Sequence, residues 1–453
     1  MVFPAVSIST GEGKMRKKYR GKWIALAVIS ALGGTSTLAS AAGFALIEQS
    51  ASGMGNAFAG AAATAEDAST VFYNPAGMSR LQGAQVTVGA HLIDLSANFT
   101  NSASSKPAAI VTNPLGGNGG DAGGLSVVPN VYFVMPIGDR LNFGVGVNAP
   151  FGLKTEYDDN WAGRFQGIKS ELKTYNINPS LSFKVTDTFA VGAGLNYQHL
   201  DVDLTNAVVL GPNTEGRAEL DAKDDAWGWN IGVLFQPTPS TKIGASYRSK
   251  LDYKLEGTTS VTTATGAPVA PASGATNADI TLPDSFSLSL AQKLSDQWEL
   301  LADATFTRWS DINRVNIINS TNGTLRDSLV LDFQDTWRYS VGANYRLSDD
   351  WTLKGGVALD QSPVKGASSR SVRLPDNDRT WVSIGAAMKI KQSGKLDFGY
   401  SHLFIKDADI NFTRSQQAPG FTTPTPAPGT ASTVAGSYTG SVDIFSVQYT
   451  ISF

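Results

Sequence analysis

From about Gln85 to Phe453 apolar and polar residues alternate, and no apolar run in that stretch approaches the length of a membrane-spanning helix, which needs about 20 residues. In the last segment Phe445, Val447, Tyr449, Ile451 and Phe453 share one face, and Ser446, Gln448, Thr450 and Ser452 share the other. A period of two is that of a β-strand with unlike faces. Trp337, Tyr339 and Val341 against Arg338, Ser340 and Gly342 repeat the pattern. So do Ile243, Ala245, Tyr247, Ser249, Leu251 and Tyr253 against Gly244, Ser246, Arg248, Lys250, Asp252 and Lys254.

A soluble sandwich also alternates, so further features must select between the two. Arg338, Arg346, Arg248 and Lys250 fall on the polar faces, where a wet lumen accommodates them. Tight polar turns (Ile137-Gly138-Asp139, Thr186-Asp187, Ser295-Asp296) alternate with long Ser/Thr/Gly/Pro/Ala-rich segments near 99–124, 257–279, 319–334 and 414–439. Short periplasmic turns and long outer loops are the asymmetry of outer-membrane barrels. Trp298, Trp309, Trp337, Trp351 and Trp381 sit at strand ends, as aromatic girdles require. The chain closes on Phe453, as expected of a last strand read by the barrel assembly machinery. The expected fold class is all-β: a transmembrane antiparallel β-barrel over 85–453, with about 14 strands, an even number.

The front of the chain fixes the compartment. A basic run (Lys14, Arg16, Lys17, Lys18, Arg20, Lys22) precedes the apolar stretch from Trp23 to Leu32 and the small residues Ala39-Ser40-Ala41. This is the pattern of a secretory signal peptide over residues 1–41, cleaved before Ala42. Met15 begins a better-proportioned signal than Met1, so 1–14 reads as an upstream start or artefact. The expected location is the outer membrane of a Gram-negative bacterium. Residues 42–84 are rich in Ala, Gly and Ser without alternation, yet carry Phe44, Leu46, Ile47, Met54, Phe58, Val71, Phe72 and Tyr73. That is too much apolar surface for a solvated tail, and a barrel this wide needs either an open channel or a plug. A mostly helical N-terminal hatch is expected.

The near-even balance of 36 basic and 39 acidic residues offers nothing to nucleic acid. Without cysteine there is no disulfide, thiol catalysis or Cys-based zinc site, and no metal or cofactor is expected. No phosphate-binding Gly-rich loop with Lys-Ser/Thr is present. A serine hydrolase would have only His91, His199 and His402 for its base and has no Gly-x-Ser-x-Gly elbow, so an enzyme is not expected.

Ala42-Gly43-Phe44, Ser52-Gly53-Met54-Gly55, Ala57-Phe58-Ala59-Gly60 and Asn74-Pro75-Ala76-Gly77 resemble the hatch of the FadL family of outer-membrane fatty acid transporters. The likeness extends through Pro129-Asn130, Tyr157 with Trp161-Ala162-Gly163-Arg164, Tyr247-Arg248-Ser249, Trp309-Ser310, and Asp360 with Ser362-Pro363-Val364. Its most specific stretch is Arg373 to Arg379, with Trp381. The resemblance implies a fourteen-stranded barrel closed by a hatch, and passive uptake of hydrophobic compounds, long-chain fatty acids foremost. Neutral aromatic or aliphatic hydrocarbons are the alternative cargo, and a general porin is the remoter one.

The resemblance also implies a kink in the third strand through which ligand leaves sideways into the membrane. That strand is Leu141 to Asn148, followed by Ala149-Pro150-Phe151-Gly152. Pro150 has no N–H for the ladder and Gly152 admits unusual backbone geometry, so pairing should fail here, as a strand end or as a kink. The resemblance favours the kink, with Pro150 and Gly152 as its gating pair. It further implies ligand contacts from Phe44 and Phe151, and basic groups for a carboxylate. The positions aligned with those groups hold Asn206 and Asn316, with Arg314 and Arg217 as nearby cations. Expected partners are the hydrophobic ligand, outer-membrane lipids and lipopolysaccharide, and the assembly machinery, around a monomer.

Overall fold

A computed structural model describes residues 43–390 and 394–453; the expected signal peptide lies outside them. Twenty strand segments join end to end into a closed antiparallel barrel of fourteen strands. These are β1 (Gln85–Asn101), β2 (Gly124–Pro136), β3 (Leu141–Asn148 with Gly152–Glu156), β4 (Lys169–Lys184), β5 (Phe189–Gly211), β6 (Thr214–Thr238) and β7 (Thr241–Arg248 with Leu251–Thr263). They continue as β8 (Gly274–Leu282 with Ser285–Lys293), β9 (Trp298–Thr307 with Arg314–Asn319), β10 (Leu325–Val330 with Thr336–Arg346), β11 (Trp351–Asp360), β12 (Arg379–Ile390), β13 (Gly394–Ile405 with Ala408–Arg414) and β14 (Ser432–Ser452). β1 pairs with β14 from Gln85↔Ser452 to Asn101↔Gly436, so the sheet closes on itself and has no terminal edge strand. Turns at 137–140, 185–188, 239–240, 294–297 and 347–350 close one end. Parts of the segments read as loops, including 257–263, 274–279 and 325–330, are strand extensions.

Alternation changes phase partway along the strands. In β6, Trp227, Trp229, Ile231, Val233 and Phe235 face outward and are exposed, whereas beyond them Ala226, Ala222 and Leu220 are buried inside and Asp221, Lys223 and Asp225 point out. The outward apolar band from 227 to 235 matches the roughly 9–11 tilted residues that cross a bilayer. β1 changes phase at Leu92-Ile93 and β14 at Ile444-Phe445. Inside the membrane the lumen is polar; above it the lumen is apolar.

This overturns part of the reading of β7. The run from 243 to 254 breaks at Ser249-Lys250, so Ile243 and Tyr247 face outward while Leu251 and Tyr253 are buried in the lumen, and Lys250 is exposed. Arg346 is also exposed, at the turn beside Asp349. Trp298, Trp337 and Trp351 face outward as girdle residues, whereas Trp309 and Trp381 are fully buried inside.

Residues 43–84 fill the polar half of the lumen as single helical turns: α1 (Ala51–Met54), α2 (Ala61–Thr64), α3 (Thr70–Tyr73) and a six-residue 3₁₀ turn, Pro75–Arg80. Ser50 caps α1 by accepting from Gly53 N at 3.1 Å. Met54, Phe58, Val71 and Met78 are completely buried, each worth about 1.5–3 kcal/mol against exposure. The barrel wall thins to receive them: a Cβ on Gly244 would stand 1.9 Å from Ala62 O, and one on Gly192 2.3 Å from Ala76 N.

The Asn-Pro-Ala-Gly signature is the bolt of this hatch. Asn74 Nδ2 donates to Ala62 O (2.7 Å) and to the barrel carbonyl of Val233 (2.9 Å), while Oδ1 accepts from Ala76 N (3.0 Å) and caps the 3₁₀ turn. Pro75 opens that turn, where its missing N–H costs nothing. Ala76 has no exposed surface, and a Cβ on Gly77 would meet Thr70 Oγ1 at 2.0 Å.

Candidate conduit and wall window

Where β3 is interrupted, three residues (149–151) lie opposite two of β4 (174 and 175), because pairing resumes one register later at Gly152↔Lys173. Such a bulge bends its strand. Thr174 pins it: Oγ1 accepts from Phe151 N (3.0 Å) and donates to Phe151 O (2.7 Å). Nothing in the sequence singled out Thr174.

The ladder between β2 and β3 stops at the same level. It ends at Val131↔Val147, and among the described residues no ladder joins Gly124–Asn130 to Gly152–Glu156. Above the gap, Glu156 N donates to Ala122 O at 3.0 Å. The wall therefore has a window along β2, about 20 Å long at roughly 3.3 Å per residue. Leu125 and Val127 line its outer edge and are exposed.

The first described hatch residues cross behind this window as a short strap. Ala45 pairs antiparallel with Phe151, Leu46 N donates to Pro150 O and Gly152 N to Phe44 O, both at 2.8 Å. Gln49 Nε2 holds Ala149 O at 2.9 Å, and Gly43 N donates to Asp376 Oδ2 at 3.0 Å. Pro150 and Gly152 stand at this bulge, and Pro150 O and Gly152 N bond to the hatch rather than to β2.

Phe44, Phe151 and Trp309 meet over the strap, with ring centroids 4.8 Å (Phe44–Trp309), 6.1 Å (Phe44–Phe151) and 6.4 Å (Phe151–Trp309) apart. They belong to one apolar cluster that continues upward through Leu200, Leu220, Tyr253 and Ile317. Above the trio is a cavity of about 500 Å³ lined by Leu204, Leu220, Ile317, Leu329, Asn206 and Arg373, among others. Below it is one of about 140 Å³, bounded by Ala45, Leu46, Pro150 and Phe151. Deeper still the lumen is polar: Asn148, Asn176, Asn196, Asn230 and Asn178 are buried and linked by side-chain hydrogen bonds of 2.9–3.3 Å.

The expected polar ligand contacts fare unevenly. Asn206 lines the upper cavity, its Oδ1 accepting from Arg373 Nη2 at 3.2 Å. Asn316 stands on the β9 face opposite the buried Val315 and Ile317 and accepts from Ser328 Oγ at 2.8 Å. Arg314 shares that face, donates to Ser328 and borders a side cavity of about 260 Å³. Arg217 is half-buried and paired with Asp159 at 2.6 Å. Three cations do line the upper cavity, Arg326, Arg414 and Arg373; Arg373, on the loop before β12, is held within 2.9–3.3 Å of Lys169 O, Ser170 Oγ, Thr205 O and Asn206 Oδ1. Burial, followed by the Arg414 guanidinium, pulls its pKa below the usual guanidinium range. The sequence carried a signal for it, because Arg373 opens the most specific stretch of the resemblance.

Glu48, on the strap, is 1% exposed and its Oε2 has no hydrogen-bond partner among the described residues. Burial pushes its carboxyl up to about 7, against the lowering effect of its own backbone and of Arg379 and Arg338.

Residues 33–453 match the model of a family described as outer membrane protein transport protein (OMPP1/FadL/TodX). Outer membrane protein P1 of Haemophilus influenzae is 33% identical over 424 residues, covering 85% of this chain and 90% of the relative. The long-chain fatty acid transport protein of Escherichia coli K12 is 29% identical over 425 residues, covering 85% and 93%. Among solved structures, a FadL homologue from Pseudomonas aeruginosa superposes with a TM-score of 0.82 at 24% identity, over 91% of this chain and all of that one. The toluene transporter TbuX of Ralstonia pickettii gives 0.64 at 19% identity, over 90% and all of it. Those two likenesses carry the fold; the family match carries the location, the outer membrane of a Gram-negative bacterium. The chain belongs to the outer membrane protein transport protein family (OMPP1/FadL/TodX), and is a transport protein of that membrane rather than an enzyme.

Proposed function

We propose that this barrel takes up hydrophobic compounds passively, long-chain fatty acids foremost, and releases them sideways through the window between β2 and β3. The ligand enters the upper cavity, follows the apolar cluster to the Phe44–Phe151–Trp309 throat, and leaves when the strap at 44–46 withdraws from the kink. The observation that carries this reading is the pairing of the strap with 150–152, because one movement then opens both throat and window. Straight passage to the periplasm is disfavoured: an apolar chain entering the asparagine layer would strand buried polar groups, at about 1–3 kcal/mol each.

A neutral hydrocarbon cargo is the second reading, favoured by a throat built of three aromatic rings with no charge among them. In either case the protein works as a monomer among outer-membrane lipids and lipopolysaccharide, inserted by the barrel assembly machinery. Closure of β1 on β14 supports the monomer, since the sheet has no terminal edge strand to pair with a second copy. Expression in a Gram-negative host that lacks its own fatty acid transporter should restore uptake of radiolabelled oleate, with no large steady conductance from the purified protein in planar bilayers. Steady conductance to small polar solutes without oleate uptake would replace this reading with a porin.

A further inference from the structure

We propose that the loop before β12 is an inner shutter behind the window, and that Leu374 on it sets how thick an apolar ligand can leave; this rests on the uptake reading and deepens it. Among the described residues the lip of the window, Gly152–Glu156, has no ladder with β2, and this loop holds it from the lumen side. Thr155 Oγ1 donates to Arg373 O (3.2 Å) and Tyr157 OH to Val372 O (2.6 Å). Arg373 Nη1 ties the loop onward to Lys169 O and Ser170 Oγ of β4, both at 2.9 Å. Val372 and Leu374 are buried, and Leu374 packs in the same apolar cluster as Leu153 of the lip and Phe44 of the strap.

A smaller cavity, of about 30 Å³, lies behind the upper part of the window. Leu95 and Ala97 of β1, Leu153, Ile405 of β13, Leu374 and Pro375 give it apolar walls, and Leu95 is paired with Gly124 at the top of the free stretch of β2. The charged groups on its border are ion-paired, Asp376 with Arg379 and Lys406 with Asp378. Arg373 lines the upper cavity and the next two residues line this one, so the loop is the partition between them. Gly152 N donates to Phe44 O at the foot of the lip, so the small cavity opens to a ligand once the strap has withdrawn. Its volume is about that of one water in the liquid, too small for an alkyl chain as it stands. Ladders fix the walls on β1 and β13, whereas side-chain bonds to its carbonyls hold the loop, so the loop side yields first. A swing of the Leu374 side chain between rotamers clears the width of one unbranched chain. A branched or fused-ring ligand needs the loop itself to leave, breaking the bonds from Thr155 and Tyr157. The pocket behind the window therefore takes thin, unbranched apolar ligands.

The test compares uptake of radiolabelled oleate with that of pyrenedodecanoate, a fatty acid ending in fused rings, by cells of a Gram-negative host that lacks its own fatty acid transporter. The cells carry wild type, Leu374→Ala, Leu374→Trp or, as control, Leu359→Ala, whose side chain is exposed on the lipid face. Folding is checked by heat-modifiable gel mobility, and oleate binding is measured on each purified protein. Wild type should prefer oleate. Leu374→Ala should raise uptake of pyrenedodecanoate relative to oleate about tenfold or more, the scale on which an apolar pocket discriminates by size. Leu374→Trp should lower oleate uptake by a similar factor with oleate binding unchanged, and Leu359→Ala should change neither. If Leu374→Trp does not fold, the ratio in Leu374→Ala decides. The proposal is overturned if wild type takes up both acids equally, or if the ratio stays at the wild-type value in folded Leu374→Ala. It is also overturned if folded Leu374→Trp takes up oleate as wild type does, or loses binding and uptake together. In those cases hydrophobic uptake still stands. Uptake of neither acid by wild type would remove the uptake reading as well.

Discussion

Replacing Asn74 with aspartate changes almost nothing in shape and reverses two of three hydrogen bonds. The oxygen that takes the place of Nδ2 would face the Ala62 and Val233 carbonyls at 2.7 and 2.9 Å, acceptor against acceptor. The bond from Ala76 N at 3.0 Å would survive. Losing two buried hydrogen bonds and leaving their carbonyls under-satisfied costs about 2–4 kcal/mol, and a buried carboxylate without a cation adds to it. Asn74→Ala loses all three bonds but creates no repulsion, so it should be the milder change. The cost falls on the hatch, because each bond either closes it on itself or ties it to the wall. Hydrogen exchange of purified protein reads this directly through the amides of Ala63, Thr64, Asn74 and Gly77, which donate within the hatch at 2.8–2.9 Å. A loss of 2–4 kcal/mol speeds their exchange about 30- to 1,000-fold, with the strands of the barrel unchanged. Unaltered hatch protection in Asn74→Asp would refute the bolt; so would Asn74→Ala proving the more disruptive.

The other predictions concern the strap and the wall. A carboxyl whose folded pKa is raised from 4.5 to about 7 stabilises the folded state fully below the unfolded value, and that stability is lost as pH rises through the folded one. For Glu48 the loss is roughly 3 kcal/mol, at 1.36 kcal/mol per unit. Exchange protection of residues 44–50 should therefore fall between pH 5 and 8 in wild type, and Glu48→Gln should abolish that dependence. Gly244→Ala should displace α2, since its Cβ would stand 1.9 Å from a backbone oxygen; overpacking costs about 1–3 kcal/mol and should appear as new channel openings in planar bilayers. Gly355→Ala, with nothing within 4 Å of its Cβ, is the matched control and should leave conductance as it is.

Much of the barrel was legible from the sequence because each lipid-facing strand advertises itself in a period of two. The strand ending at Phe453, the stretch around Trp337 and the tight turns all stand where the pattern put them. What the pattern concealed was a change of environment along a strand. The same parity in β7 carries Tyr247 to lipid and Leu251 to the lumen, because a break at 249–250 turns the chain. The clue in unbroken strands is a pair of adjacent apolar residues, Leu92-Ile93 in β1 and Ile444-Phe445 in β14, marking the outer edge of the membrane band. Trp309 and Trp381 misled for the same reason: the interior above the membrane is as apolar as the lipid outside. At the site, Pro150 and Gly152 were readable because proline and glycine announce a broken ladder. Thr174 and the pairing of Ala45 with Phe151 were not, since each depends on contacts between segments far apart in the chain.

The central claim is that strap and kink must part for ligand to leave. Ala45 and Phe151 are directly opposed, flanked by the bonds from Leu46 N to Pro150 O and from Gly152 N to Phe44 O. That makes them a non-hydrogen-bonded pair, with Cα atoms about 4.5 Å apart, inside the span of a disulfide. The chain has no cysteine of its own, so Ala45→Cys with Phe151→Cys gives one defined cross-link. Oleate uptake by cells carrying the double variant should be abolished when the disulfide is formed and return on reduction, while either single variant responds to neither treatment. Undiminished uptake with the disulfide fully formed would contradict the account.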